Sequence, residues 1–187
     1  MMKRMAIATA MTFGFLALTH AGERGGREVG TIVDGKFKAH KPKPLSAKAR
    51  KLFYEQIPAL LQALAEKEES EGLNDEERTA KQNGTQLIQL RDAFEVLDRA
   101  LAGDETVAKD SGLQKRGGFT VKVAKVGEND QVTLNGKKVD AKYVIIVKGS
   151  HALVVCLRGE MVAAKDVLAK REAARKAMEN LAAKLEG

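Results

Sequence analysis

The chain has 187 residues, of which 44% are hydrophobic and 30% charged, with one Cys, no Trp and a formal net charge of +7. That length suits one ordinary domain or two small ones with a real hydrophobic core, and the composition excludes a disordered chain. A lone Cys excludes an internal disulfide framework.

The charge is segmented along the chain. Residues 22–51 carry nine Lys/Arg against three Asp/Glu, net +6, residues 52–110 carry six against fourteen, net −8, and residues 111–148 carry eight against three, net +5. Opposite segments are expected to neutralise one another on folding.

Residues 1–21 predict a cleaved secretory signal peptide. Lys3-Arg4 gives a basic start, Met5 to Leu18 is a nearly unbroken apolar run, and Ala21 supplies a small residue for cleavage. The run is short for a bilayer span, and no Cys follows it to carry a lipid. The expected location is periplasmic or secreted. Cys156 would then enter an oxidising compartment. Its setting, Leu153-Val154-Val155-Cys156-Leu157, predicts a buried, inert thiol, with an intermolecular disulfide as the sharper alternative.

Residues 22–44 read as a flexible basic arm ending in Lys41-Pro42-Lys43-Pro44. Within it, Thr31-Ile32-Val33 and Lys36-Phe37-Lys38 flank Asp34-Gly35, a hairpin-turn dipeptide. So small a ribbon persists only if it docks, and its natural dock is an edge of the main sheet.

Residues 45–102 predict an antiparallel helical hairpin. Ser46 can cap a first helix with an apolar stripe at Ala49, Leu52, Phe53, Ile57, Leu60, Leu61 and Leu64, and Gly72 stops it. Pro58 lies inside this stripe and predicts a kink or a break into two shorter helices. Asn74 and Glu77 form a capping box for a second helix, whose seam runs Leu87, Leu90, Phe94, Leu97 and Leu101. Asn83-Gly84 is expected to fray or kink it. Residues 103–117 are polar, contain Gly and lack periodicity, which reads as a linker.

Residues 118–187 predict a sheet and a covering helix. Four β segments are expected, the first at Phe119 to Val126, and Asn135-Gly136 supplies a type I′ turn placing Leu134 opposite Lys137 and Val132 opposite Val139. Alternation then carries Ala141, Tyr143, Ile145 and Val147 onto the face of Val132. Gly149-Ser150 suits a type II′ turn placing Lys148 opposite His151 and Ile145 opposite Val154. This last hairpin is apolar on both faces, so both must be covered, by helices or by another chain. Residues 162–185 predict a helix folding back across one dry face of the sheet. The expected fold class is therefore α+β: an N-terminal helical hairpin, then a four-stranded antiparallel β-meander and a C-terminal α-helix.

Chemistry is sparse. His151 and Cys156, five apart on one strand, point to opposite faces. No His or Cys grouping has metal-ligand spacing, and no Gly-rich phosphate loop opens a helix. No catalytic residue, metal site or cofactor is expected. The one functional candidate is an anion-binding surface of Lys115, Arg116, Lys122, Lys138 and Lys142, joined by the basic stretch 36–51. Asp140 between two of these lysines and the acidic helical segment, which can occupy the patch, weigh against it, and the missing aromatic residues weigh against single-stranded nucleic acid. The leading expectation is an exported, non-enzymatic binding or assembly module of the bacterial envelope, acting with further copies of itself or an envelope protein. The alternatives are a protein binding an anionic polymer, whether polysaccharide, nucleic acid or anionic lipid, and, third, a thiol-dependent enzyme.

Overall fold

A computed structural model describes residues 29–33, 36–147 and 151–185. The expected signal peptide and the Asp34-Gly35 and Gly149-Ser150 turns lie outside the described residues. The architecture is α+β and antiparallel, but it corrects the helical hairpin followed by a four-stranded meander: eight strands form one curled sheet, a half-barrel, with the helices on its convex side. The sheet begins before the helices, with β1 (Val29–Val33) and β2 (Lys36–Ala39). It continues after them with β3 (Phe119–Val126), β4 (Val132–Leu134), β5 (Lys137–Lys138), β6 (Val144–Val147), β7 (His151–Leu157) and β8 (Glu160–Met161). The spatial order is β2-β1-β6-β7-β3-β4-β5, and β8 pairs with the end of β7.

The meander expectation fails at its centre. β3 runs beside β7 from Phe119↔Leu157 to Ala124↔Ala152, and meets β4 only at Lys125↔Thr133 and Val126↔Val132. The longest apolar strand thus takes the middle, where both its edges and both its faces are dry. The β1–β2 ribbon docks on the sheet through Val29↔Val147 and Gly30↔Ile146. Arg158 and Gly159, both with positive φ (53° and 87°), turn β7 back into β8 instead of leading directly to the last helix.

Asn135 and Gly136 take φ 52° and 77°, and Leu134 faces Lys137 as a type I′ turn requires. The next hairpin is in a different register from the one its turn residues suggest: Val147 faces His151 and Ile145 faces Leu153, one residue away from the expected pairing. With both faces apolar, a one-residue slip exposes nothing, so the pattern does not specify register. The alternation of Val132 and Val139 also stops at a 3-10 turn, Ala141–Tyr143, which Asp140 caps by accepting from the Lys142 amide at 3.0 Å. Ile145 consequently faces the helices, while Val132, Val139 and Tyr143 stay on the concave side.

α1 (Ala47–Lys51) starts at Ser46, whose Oγ accepts from the Ala49 amide at 3.2 Å. A π-turn at Leu52–Gln56 then leads into α2 (Ile57–Ser70), with Pro58 in its first turn. Pro58 does not break the rod, because the widened turn bonds the Ile57 amide to the Leu52 carbonyl and absorbs the missing donor. α3 (Asp75–Leu101) opens on the Asn74–Glu77 capping box, with both hydrogen bonds formed at 2.9 and 3.0 Å. Gly84 does not interrupt it. A Cβ there would lie 2.8 Å from Leu61, so the glycine lets α2 and α3 approach closely.

Residues 103–117 are not a bare linker. They hold a 3-10 turn at Glu105–Ala108 and α4 (Ser111–Gly117), capped by Asp104 and Asp110, and they bury Val107 and Leu113 against the sheet. α5 (Ala164–Lys184) reaches the sheet only through its first turns, at Ala164 and Val167. Further along, Ala174, Met178 and Ala182 pack on Phe53, Ile57 and Phe94 of the helical layer. The convex face is therefore covered chiefly by the end of α3 and by 105–113, with α5 behind them.

Close approach fixes the ribbon. A Cβ on Gly30 would sit 2.0 Å from the Lys38 carbonyl oxygen. Gly30→Ala is expected to lift β2 from β1 at a cost of about 1–3 kcal/mol, typical of overpacking. Hydrogen exchange should show lost protection in β1 and β2 with α3 and α5 unchanged; full protection in the variant would contradict this geometry.

Candidate functional site

The curl leaves one side of the sheet open. There a cleft of ≈ 360 Å³ lies between β1, β6 and the β4–β5 hairpin. Its floor is apolar, formed by Ile32, Val132, Val139, Val144 and Ile146, and its rim carries Asn129, Asp130, Gln131, Lys138 and Asp140. Apolar floors with a few convergent polar groups at the mouth of a curled sheet are the usual build of ligand sites. Asn129 and Asp130 both hold left-handed backbone, φ 58° and 57°. Asn and Asp adopt this conformation more readily than other residues with a side chain, so the pair sets the shape of the rim loop. A larger, more open hollow of ≈ 530 Å³ lies between β8 and the start of α5, lined by Tyr143, Leu157, Met161, Val162 and Ala163 with Glu160, Asp166 and Lys170 around them.

The five cations singled out in the sequence are dispersed. Lys115 and Arg116 sit on α4, on the helix side of the sheet. Lys122, on β3, faces Val154 and so belongs to the concave side. Lys138 pairs with Thr133 and lines the cleft, and Lys142 lies on the 3-10 turn before β6. Two of them are already engaged. Arg116 Nε donates to Asp92 Oδ2 at 2.6 Å, and Lys142 Nζ lies 3.5 Å from Asp140 and over the Tyr143 ring.

Cys156 is buried on the concave side with Ala152 and Val154. His151 shares the opposite side with Leu153, its Nδ1 2.5 Å from Glu105 Oε1. Strand geometry keeps the thiol and the imidazole apart. Among the described residues, no group of three or more His, Cys, Asp or Glu side chains is placed to hold a metal ion.

Sequence reasoning missed a charged network along α3. Asp92 is fully buried and accepts from Arg91 and Arg116; Arg99 bridges Asp104 and Asp110 at 3.0 and 3.1 Å. Arg91 also lies over the Tyr54 ring, which the π-turn presents to it, at 5.3 Å. Burial raises the Tyr54 hydroxyl's pKa, with Glu95 adding to the effect. Burial likewise raises the Glu95 carboxyl above the usual carboxylate range, against the pull of Arg99 and Arg91. Acids and bases alternate at i, i+1 and i+4 here, but in the sequence that pattern resembles an ordinary solvated helix face. Its cations are met by carboxylates, so the network braces α3 against α4 and leaves little positive field for an anion.

Comparison with protein-family models, with curated proteins and with solved structures gives no match. The reading of function rests on the chain's own geometry. Among the described residues, no helix is long and apolar enough to cross a membrane.

Glu95 offers a pH test of the network. A carboxyl whose folded pKa lies above its unfolded value stabilises the fold while protonated and loses that contribution as pH rises through the folded pKa. At neutral pH its ionised form costs stability. Glu95→Gln is expected to raise Tm at pH 7 and to lose that advantage below about pH 4, where Glu95 is protonated both folded and unfolded. A Tm that falls at pH 7 on substitution would mean that Arg91 and Arg99 outweigh burial.

Proposed function

We propose that this chain is an exported, non-enzymatic binding or assembly module of the bacterial envelope, with its recognition site in the cleft at the open side of the curled sheet. One observation carries the reading: at the open side of the sheet a cleft runs past half-buried Ile32 onto the edge of the apolar cluster of Val132, Val139, Val144 and Ile146, beneath a polar rim. A cleft of ≈ 360 Å³ suits one apolar group with a hydrogen-bonding end. Export is supported by the basic-then-apolar pattern of residues 3–21.

A second reading, binding of an anionic polymer, is favoured by the basic stretch 36–51 and by exposed Lys115, Lys122 and Lys138. Dispersal of those three over separate elements, and the engagement of Arg116 and Lys142, place it second. It requires affinity that falls steeply with salt.

The cleft is tested with anilinonaphthalene sulfonate, an apolar ring system with a polar end. Fluorescence enhancement is expected with the wild-type protein, and Ile32→Asp, which sets a carboxylate at the half-buried lip against the probe's sulfonate, should weaken it about tenfold, or 1.4 kcal/mol. Equal enhancement by a folded Ile32→Asp protein would sink the assignment. In parallel, the solution mass of protein beginning at Gly22 should not change with reductant, because Cys156 is only 2% exposed. A reductant-sensitive dimer would contradict that burial.

A further inference from the structure

Two methionines fall among the described residues, and the fold treats them oppositely. Met178 is fully buried in the helical layer with Phe53 and Ile57, whereas Met161 is 43% exposed on β8, in the wall of the larger hollow. Oxidation of a side-chain sulfur follows its access to the oxidant in water. Packing alone therefore sets the two thioethers apart in reactivity.

Met161 also sits beside the chain's one thiol. Cys156 and Met161 are direct partners on the β7–β8 ladder, and such partners carry their side chains on the same side of the sheet with Cβ atoms about 5 Å apart. Along its other edge Cys156 faces Thr120 of β3, which is exposed. The thiol is thus 2% exposed although both of its cross-strand neighbours reach water. Its cover is thin, and one part of that cover is weakly anchored. β8 has two residues, lies off the main path of the sheet and is entered through the Arg158–Gly159 turn; just past it, the Val162 amide donates to the Val155 carbonyl at 2.8 Å.

We propose that Met161 is a peroxide-sensitive modification site, and that its conversion to the sulfoxide uncovers Cys156. The thioether sulfur attacks one oxygen of hydrogen peroxide, so that an S–O bond forms as the O–O bond breaks. Sulfur loses two electrons, and the departing hydroxide takes the proton of the transferred oxygen and leaves as water. A flexible apolar side chain becomes a polar one. Its new oxygen is drawn towards water, away from the thiol, and a two-residue strand offers little to hold it back. Cys156 then gains the access that thiol chemistry requires. Because Met161 lines the larger hollow and not the cleft, this site and the proposed recognition site stand independently.

The test treats full-length protein with dilute hydrogen peroxide, maps its peptides by mass spectrometry, removes the peroxide and times the reaction of Cys156 with dithionitrobenzoate. Met161 is expected to gain one oxygen at least about tenfold faster than Met178, and Cys156 to react about tenfold faster once Met161 is oxidised. Met161→Leu, a swap that conserves volume, should leave Cys156 slow after the same treatment. Met161→Gln places a polar group of similar length beside the thiol and should speed its reaction without any peroxide. Oxidation of Met178 as fast as Met161 would overturn the modification site. A thiol as slow in Met161→Gln as in the wild type would overturn the uncovering, and so would a fast thiol in peroxide-treated Met161→Leu.

Discussion

β7 must be dry on both sides. His151 to Cys156 are all buried, with Leu153 and Val155 on the convex side and Ala152, Val154 and Cys156 on the concave one. Burial of each large aliphatic side chain is worth about 1.5–3 kcal/mol, so the two faces together rival the net stability of a domain. The helices pack on the convex face. The concave face is closed by the sheet curling over itself, which carries the β4–β5 hairpin round towards β1. The cleft is what that closure leaves open.

Helix placement depends on a few charges held away from water. Arg171, 2% exposed, spans α5 and α3 by donating to Asp98, stacks on Phe94 at 4.5 Å, and ties down the Lys43 carbonyl. Asp92 does the same between α3 and α4, where Gly117 packs so tightly that a Cβ would lie 2.9 Å from the Asp92 carbonyl. Such pairs add little net stability compared with apolar substitutes, but they penalise alternative packings that leave a buried charge alone. The ribbon, the helical layer and the sheet are thereby fixed in one arrangement.

Features decided by a few neighbouring residues were legible in the sequence. Ser46 and Asn74 announced their helices because a side-chain acceptor meets the first free amides, and Asn135-Gly136 announced its turn because both residues accept positive φ. Two-sided burial of β6 and β7 was legible from unbroken apolar runs. Strand order was not, since β3 beside β7 and β1 beside β6 are choices between distant segments of similar composition. The caps at Asp104 and Asp110 went unnoticed because each precedes too few residues for any period to show. Of the candidate site, Lys138 and the Asp140 beside it were in view. The apolar floor was not, because its five residues come from three strands and the segment after β5 and meet only once the sheet curls.

Val29 and Val147 are neighbours across the β1–β6 ladder although more than half of the chain lies between them. A ribosome, or any pore threading the polypeptide from its amino end, delivers the first of them early and the second late. Until then β1 has only β2 beside it, and a lone two-stranded ribbon is at best marginal in water. Contacts this distant form slowly, so β1 and β2 stay unsheltered, within reach of chaperones and proteases, until β6 has been made and has paired with β1.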